Sequence, residues 1–263
     1  MNPLSTEGLS ALLAGAGIAL PPGAVEKLVR HAEEMLRWNR SIRMTAITAP
    51  LEVAVKHILD SLMLLSFAPF PGKTMDFGSG AGFPGIPLAI ALPDASLVLL
   101  EASAKKCAFL SHACAMLSPL HAEVLRGRLD PRKVLPIGRF EQIVTRATLA
   151  PRDAARLLLP YLSPGGRLLL MTGRESLQKG FDERRFEPRG GAGEQGEGRP
   201  GMAAEAAEAA PGARTGGPSA RGPGEGPCAE PELPAGARYG RRMPFSLPYG
   251  MGGREIREVL AAS

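Results

Sequence analysis

Cysteine is scarce in this chain, and the little there is forms no pattern. Cys107, Cys114 and Cys228 are odd in number and have neither metal-ligand nor redox spacing. That excludes a paired disulfide framework and a cysteine-built metal centre, and no metal is expected. Cys107 and Cys114, seven apart in a helical pattern, read as small core residues. No basic-then-apolar leader opens the sequence, which together with the cysteines predicts a reducing cytoplasm. No apolar run approaches the roughly 18 residues of a membrane span, so no membrane partner is expected. An obvious catalytic His or Cys dyad is missing too. His57 and Asp60 sit on one helix face, where a relay and a packing pair fit equally well.

What is present begins with charge. The 263 residues carry a formal net charge of +5, a balance that favours an anionic partner without naming one. Residues 1–70 read as a helical extension, with Leu9, Leu12 and Leu13 in one amphipathic segment. Val25, Leu28, Val29, Ala32, Met35 and Leu36 follow at spacings of three and four. The opposite face of that second helix is assigned Lys27, Arg30, His31, Arg37 and Arg40, which reads as a solvated surface. Pro50 opens a further helix that runs to Leu65.

From residue 71 the period changes. Short apolar strands at Thr74–Phe77, Leu97–Leu100, Glu123–Arg126, Glu141–Thr145 and Arg167–Met171 alternate with helices at Ile86–Leu92, Ala104–Leu117 and Arg152–Leu162. This alternation predicts an α/β doubly wound sheet with helices on both faces, its core spanning 71–187. Ligands of such sheets bind at the carboxyl ends of the strands. Residues 188–237 are almost all Gly, Ala, Pro, Glu and Arg, with no aromatic residue between Phe186 and Tyr239. They predict a disordered insertion, in which Ala203–Ala210 could turn transiently helical. Residues 238–263 would then return as strands, at Met243–Leu247 and Glu255–Leu260.

The sharpest local signal is Asp76-Phe77-Gly78-Ser79-Gly80-Ala81-Gly82-Phe83-Pro84-Gly85-Ile86-Pro87, between a strand and a helix. Its spacing is G-x-G-x-G where a dinucleotide site wants G-x-G-x-x-G, and Pro84 and Pro87 remove amides that a diphosphate would need. An acidic, glycine-cleared hollow suits S-adenosylmethionine, which carries a sulfonium cation and no phosphate. Glu101, ending the second strand, could accept from both ribose hydroxyls. Leu129-Asp130 follows the third strand, where an acid could meet the adenine amino group. Thr145-Arg146-Ala147 ends the fourth strand, and Arg146 is the catalytic candidate, facing the reacting methyl.

Several motifs in register resemble the bacterial RsmG methyltransferases (GidB, glucose-inhibited division protein B). They are Trp38-Asn39, Ile42-Arg43-Met44-Thr45, His57-Ile58-Leu59-Asp60-Ser61-Leu62 and Asp76–Pro87. Lys105-Lys106-Cys107-Ala108-Phe109-Leu110, Thr145-Arg146-Ala147 and Pro164-Gly165-Gly166-Arg167 continue the series, which covers about residues 25–173. The resemblance implies a Rossmann-like class I S-adenosylmethionine-dependent sheet and methylation of guanine N7 in 16S ribosomal RNA near the decoding centre. The substrate would be naked RNA or a small-subunit assembly intermediate. It also implies cofactor contacts at Gly78, Phe83, Leu129, Asp130 and Arg146, with Glu101 as the ribose ligand; Gly80, in the same glycine turn, is a further cofactor-binding candidate. Arg128, Lys105 and Lys106 match basic positions that face RNA phosphate. The chain departs from the family pattern at Arg43-Met44, at Thr145, at Glu101 in place of Asp, and at Thr172-Gly173 where Lys-Gly is common. Arg174 is the candidate replacement for that lysine. A nicotinamide-dependent oxidoreductase and a catalytically weakened ribosome-assembly factor stay open as rival readings, and a monomer is expected.

Overall fold

The computed structural model describes residues 2–146, 149–173 and 232–262. The N-terminal part begins with α1 (Thr6–Gly15), whose N-cap Ser5 accepts from the Gly8 amide, and α2 (Ala24–Asn39). The helix that opens at Pro50 is not one regular α-helix. It consists of α3 (Pro50–Val53), a π-helical stretch (Ala54–Leu59), α4 (Asp60–Leu62) and a 3-10 stretch (Met63–Phe67). Leu9, Leu28, Met35 and Ile58 from these elements share one buried apolar cluster with Phe83, Ile86 and Phe109. The helical extension and that face of the sheet therefore have a common core.

One position on α2 corrects the sequence reading. His31 does not lie on the solvated face: it is 0% exposed, donating from Nε2 to the Ala81 carbonyl at 2.9 Å. Its spacing from Leu28, Ala32 and Met35 puts it inside the buried stripe. Burial without a negative partner lowers its pKa to about 4.

The sheet consists of β1 (Lys73–Phe77), β2 (Ser96–Glu101), β3 (Ala122–Arg126), β4 (Phe140–Arg146), β5 (Leu162–Gly173), β6 (Ala237–Ser246) and β7 (Gly253–Ala261). Their order is β3-β2-β1-β4-β5-β7-β6. The first five strands pair in parallel, and β7 lies antiparallel to both β5 and β6. Crossovers run through α5 (Gly85–Ala91), α6 (Ala104–Met116) and α7 (Pro151–Leu158), as the doubly wound reading expects. Strands buried on both faces need continuous apolar runs, which is why Leu97–Leu100 carries no alternation.

Two boundaries move. The helix read as reaching Leu162 stops at Leu158 plus a 3-10 turn to Tyr161, and β5 begins at Leu162. Its Pro164-Gly165-Gly166 stretch breaks the register between the pairs Phe140↔Leu162 and Gln142↔Arg167. β6 begins at Ala237, inside the tract assigned to an insertion. Residues 188–231 of that tract, with Ala203–Ala210, Cys228 and also Ala147 and Arg174, lie outside the described residues.

Candidate functional site

After β1 the chain turns through Gly78, Gly80 and Gly82 at φ 76°, 56° and 87°, left-handed values that side chains other than glycine resist. A Cβ on Gly85 would sit 2.6 Å from Asp76 Oδ2, so glycine lets α5 press against the end of β1. The loop amides are occupied from within. Gly78 and Ser79 donate to the Leu100 carbonyl at 2.9 and 3.2 Å, Gly82 to Ser79 at 2.7 Å and Ile86 to Gly82 at 2.8 Å. Gly80 donates to Glu101 Oε2 at 2.9 Å and Gly85 to Asp76 Oδ2 at 3.0 Å. Pro84 and Pro87 have no amide to give. A diphosphate needs several amides aimed outward together, and this loop has spent six of them.

Asp76 plays a different part from the one its sequence position suggests. It is fully buried behind the loop and caps α5 through Gly85, so it does not line an open hollow. Burial raises its pKa from 3.8 to about 7. Glu101, at the end of β2, is the carboxylate that shapes the loop: Oε2 accepts from Gly80 and Oε1 from Ser103 at 2.8 Å. Each oxygen retains a second lone pair, so the group can hold the loop and still accept from two hydroxyls. That pair of acceptors fits the ribose hydroxyls of S-adenosylmethionine. β3 continues the edge, with Gly127 donating to the Glu101 carbonyl at 3.0 Å. Leu129 is buried beside Leu100, and Asp130 is exposed, accepting from the Arg132 amide at 2.8 Å. Gly78, Gly80, Glu101, Leu129 and Asp130 thus follow one another along the carboxyl ends of β1, β2 and β3. Phe83 is 3% exposed, its ring stacked on His57 at 4.7 Å and tilted against His31 at 4.6 Å. The ring is spent on packing.

Arg146, expected to face the reacting methyl, is held on several sides by the helical extension. Nη1 donates to the Lys56 carbonyl at 2.9 Å, Nη2 donates to His57 Nδ1 at 3.2 Å, and Asp60 Oδ2 lies 3.6 Å from Nη1. The guanidinium also lies over the Phe83 ring at 5.6 Å. Because arginine only donates, His57 Nδ1 accepts, so its proton sits on Nε2 and is donated to Thr45 Oγ1 at 3.0 Å. Burial and the neighbouring arginine push the His57 pKa down to about 3, so the ring is neutral. The pair His57 and Asp60 therefore holds Arg146 in place. The π-helical stretch that carries Lys56 and His57 is the local irregularity often found at such sites.

Beside this cluster opens a cavity of about 570 Å³, whose wall includes Lys56, His57, Asp60, Arg146, Thr172 and Arg254. Asp60 Oδ1 and Thr172 Oγ1 are buried and have no hydrogen-bond partner among the described residues. Arg254 Nε lies 3.6 Å from Asp60 Oδ1 as an ion pair. Burial raises the Asp60 pKa, while Arg146 and Arg254 oppose the rise. Lys56, Asp60 and Arg254 line this cavity, although their sequence context does not single them out as cavity residues. Only the Gly252-Gly253-Arg254 run, small residues ahead of a cation, hinted at a close approach. Lys105 and Arg128 are exposed and Lys106 half-buried, at the start of α6 and just after β3. They belong to the β2–β3 end of the edge, whereas the cavity lies by β5 and β7.

The family model for rRNA small subunit methyltransferase G (GidB) matches residues 24–186. The chain belongs to that family. A relative of the same name from Anaeromyxobacter sp. (strain Fw109-5) is 40% identical over 178 residues, 67% of this chain and 82% of the relative. One from Geobacter sp. (strain M21) is 37% identical over 163 residues, 62% of this chain and 75% of the relative. The solved structure of TrmN from Thermus thermophilus is similar at 16% identity with a TM-score of 0.46, covering 88% of this chain and 52% of that one. The assignment rests on the family match and the relatives.

Family membership makes the chain an S-adenosylmethionine-dependent rRNA methyltransferase, and its parallel sheet with an antiparallel β7 is the Rossmann-like class I arrangement. The nicotinamide reading loses its footing at the loop, where the amides are already engaged. Among the described residues no helix is long and apolar enough to cross a membrane, and no cluster of His, Cys, Asp or Glu could hold a metal ion.

Proposed function

We propose that this chain transfers a methyl group to N7 of a guanine in 16S ribosomal RNA, as a cytoplasmic monomer acting on naked RNA or a small-subunit assembly intermediate. The observation that carries the reading is the glycine loop, closed to a diphosphate by its own hydrogen bonds and clamped by Glu101, next to a polar cavity large enough for a base. S-adenosylmethionine supplies an electrophilic methyl on a positively charged sulfur. Guanine N7 offers a lone pair at neutral pH, so the positive charge passes from sulfur to base and no proton moves. A neutral His57 whose Nδ1 already accepts from Arg146 suits a reaction without a general base. Glu101 holds the ribose hydroxyls, Gly78, Gly80, Leu129 and Asp130 bound the cofactor, Phe83 backs the loop through its packing on His57 and His31, and Arg146 fixes the wall between the two ligands. Asp60 Oδ1 and Thr172 Oγ1 are the acceptor and hydroxyl on offer to the polar edge of the base. Positioning of this kind is worth up to roughly 7–11 kcal/mol. Lys105, Lys106 and Arg128 hold RNA phosphates farther along the edge.

The test is methyl incorporation from labelled S-adenosylmethionine into protein-free 16S RNA and into small subunits, followed by nucleoside analysis. Label in 7-methylguanosine supports the reading. Label on another atom, or none in either substrate, rejects it.

A further inference from the structure

The loop joining β6 to β7 holds an aromatic ring in an unfavourable place. The last ladder pair is Ser246↔Gly253, and Leu247 N–H donates to the Gly252 carbonyl at 3.0 Å. Inside lies a four-residue turn, closed by Met251 N–H donating to Pro248 O at 3.2 Å. Its central residues, Tyr249 and Gly250, have φ of 57° and 66°. Two successive positive φ values mark a type I′ turn, for which Asn-Gly is the favoured pair. Tyrosine at the first position crowds its Cβ against the backbone and weakens the turn. Among the described residues Tyr249 is the one non-glycine residue at positive φ.

Packing does not compensate for that strain. Tyr249 is 68% exposed, one of two large apolar side chains so exposed among the described residues, the other being Val134. The remaining tyrosines are used internally: Tyr161 is buried, and Tyr239 lies under Arg257 at 5.2 Å. The position of Tyr249 gives its ring a use. Met251, Gly252 and Gly253, beginning two residues after it, line the 570 Å³ cavity together with Lys56, Arg146 and Arg254. A solvent-facing ring two residues along the chain from a cavity walled by Lys56, Arg146 and Arg254 as well as Asp60 and Glu255, held there against local backbone preference, has the character of a contact kept for a ligand.

We infer that Tyr249 is a stacking platform for an unpaired base of the RNA substrate at the mouth of the cavity. The inference rests on the rRNA reading above and adds to it a recognition residue. Sequence-selective RNA binding depends on splayed bases that stack on aromatic faces. The nearby cations Arg254 and Lys56 are paired with Asp60 and Glu52, so the stacked ring and not a free charge carries the contact. Stacking uses the ring face, so the phenol hydroxyl is dispensable.

The experiment compares the full-length wild type with Tyr249→Phe and Tyr249→Asn, measuring the KM for 16S RNA, kcat, and Tm. Asparagine suits the type I′ turn, so Y249N is expected to raise Tm by about 2–4 °C. It should also raise the KM for RNA about 5- to 150-fold, the effect of losing one stacked base, with kcat nearly unchanged. Y249F should stay within about threefold of wild type. A Y249N protein with wild-type KM, or a Y249F protein as impaired as Y249N, overturns the inference while leaving the methyltransferase reading intact. A wild type that transfers no methyl to RNA overturns the parent reading, and this inference with it.

Discussion

Asp76 gives the strongest handle on how the cofactor loop is built. Its carboxyl is fully buried, Oδ2 accepts from Gly85, and Oδ1 has no hydrogen-bond partner among the described residues. Burial moves its pKa from 3.8 to about 7. For an acid raised in this way the folded state holds the proton more tightly than the unfolded one. The resulting stabilisation is full below pH 3.8 and is lost as pH rises towards 7. The gap corresponds to roughly 4 kcal/mol between the two limits. Asp76→Asn keeps an oxygen for Gly85 but places an amide NH₂ at the unpartnered site, costing about 1–3 kcal/mol at any pH. Above about pH 8 the variant avoids burying a charge and should be more stable than wild type by about 1–3 kcal/mol. At about pH 4.5 it should be less stable. Thermal unfolding of both proteins by circular dichroism across about pH 4.5–9 reads this directly. His31 and His57, whose lowered pKa values give the opposite slope between about pH 3 and 6.5, are present in both proteins and cancel in the difference. A Tm difference of one sign throughout would show that Asp76 is not buried as described. The same ionised carboxylate lies behind the loop that meets a sulfonium ion, so the stabilised variant should bind S-adenosylmethionine more weakly at about pH 8.

Glu101→Gln should weaken S-adenosylmethionine binding by about tenfold or more, because a neutral amide oxygen replaces charge-assisted bonds; unchanged affinity by calorimetry would remove Glu101 from the site. Arg146→Ala should abolish turnover and, by leaving Asp60 with Arg254 alone, destabilise the fold by about 3–5 kcal/mol. Arg146→Lys keeps the charge but cannot reach both the Lys56 carbonyl and His57, so kcat should fall while the KM for RNA stays within a few fold; full activity contradicts the positioning role. Lys105→Ala and Arg128→Ala should each reduce RNA affinity and flatten its logarithmic salt dependence by about one, with cofactor binding unaffected, as filter binding at several salt concentrations would measure.

The parts of this molecule readable from sequence are those with local causes. The five parallel strands declare themselves through short apolar runs between helical patterns, and the Gly78–Pro87 loop through its glycines and prolines. The start of β5 is obscured because the leucines of Leu157–Leu162 continue a helical apolar pattern, although Pro160 among them marks the break seen at Leu159–Tyr161. β6 begins at Ala237 in sequence that looks like the tract before it, since a strand pairing with β7 needs its partner before its pattern has meaning. His31 is easily misplaced because a histidine among Lys, Arg and Glu looks solvated, although its spacing from Leu28 and Met35 assigns it to the buried stripe. The setting of Arg146 is the least legible. Its partners His57 and Asp60 are remote in the chain, and the π-helical stretch that aims the Lys56 carbonyl at it has no sequence signature.

The central claim is that the loop after β1 accepts a sulfonium nucleoside and turns away a diphosphate. Titration calorimetry of the purified full-length chain with S-adenosylmethionine, its demethylated product and a nicotinamide dinucleotide tests it most directly. Saturable one-to-one binding of the first two, and no heat from the third, is the predicted result. Binding of the dinucleotide with no response to either methyl-cycle compound would contradict the account.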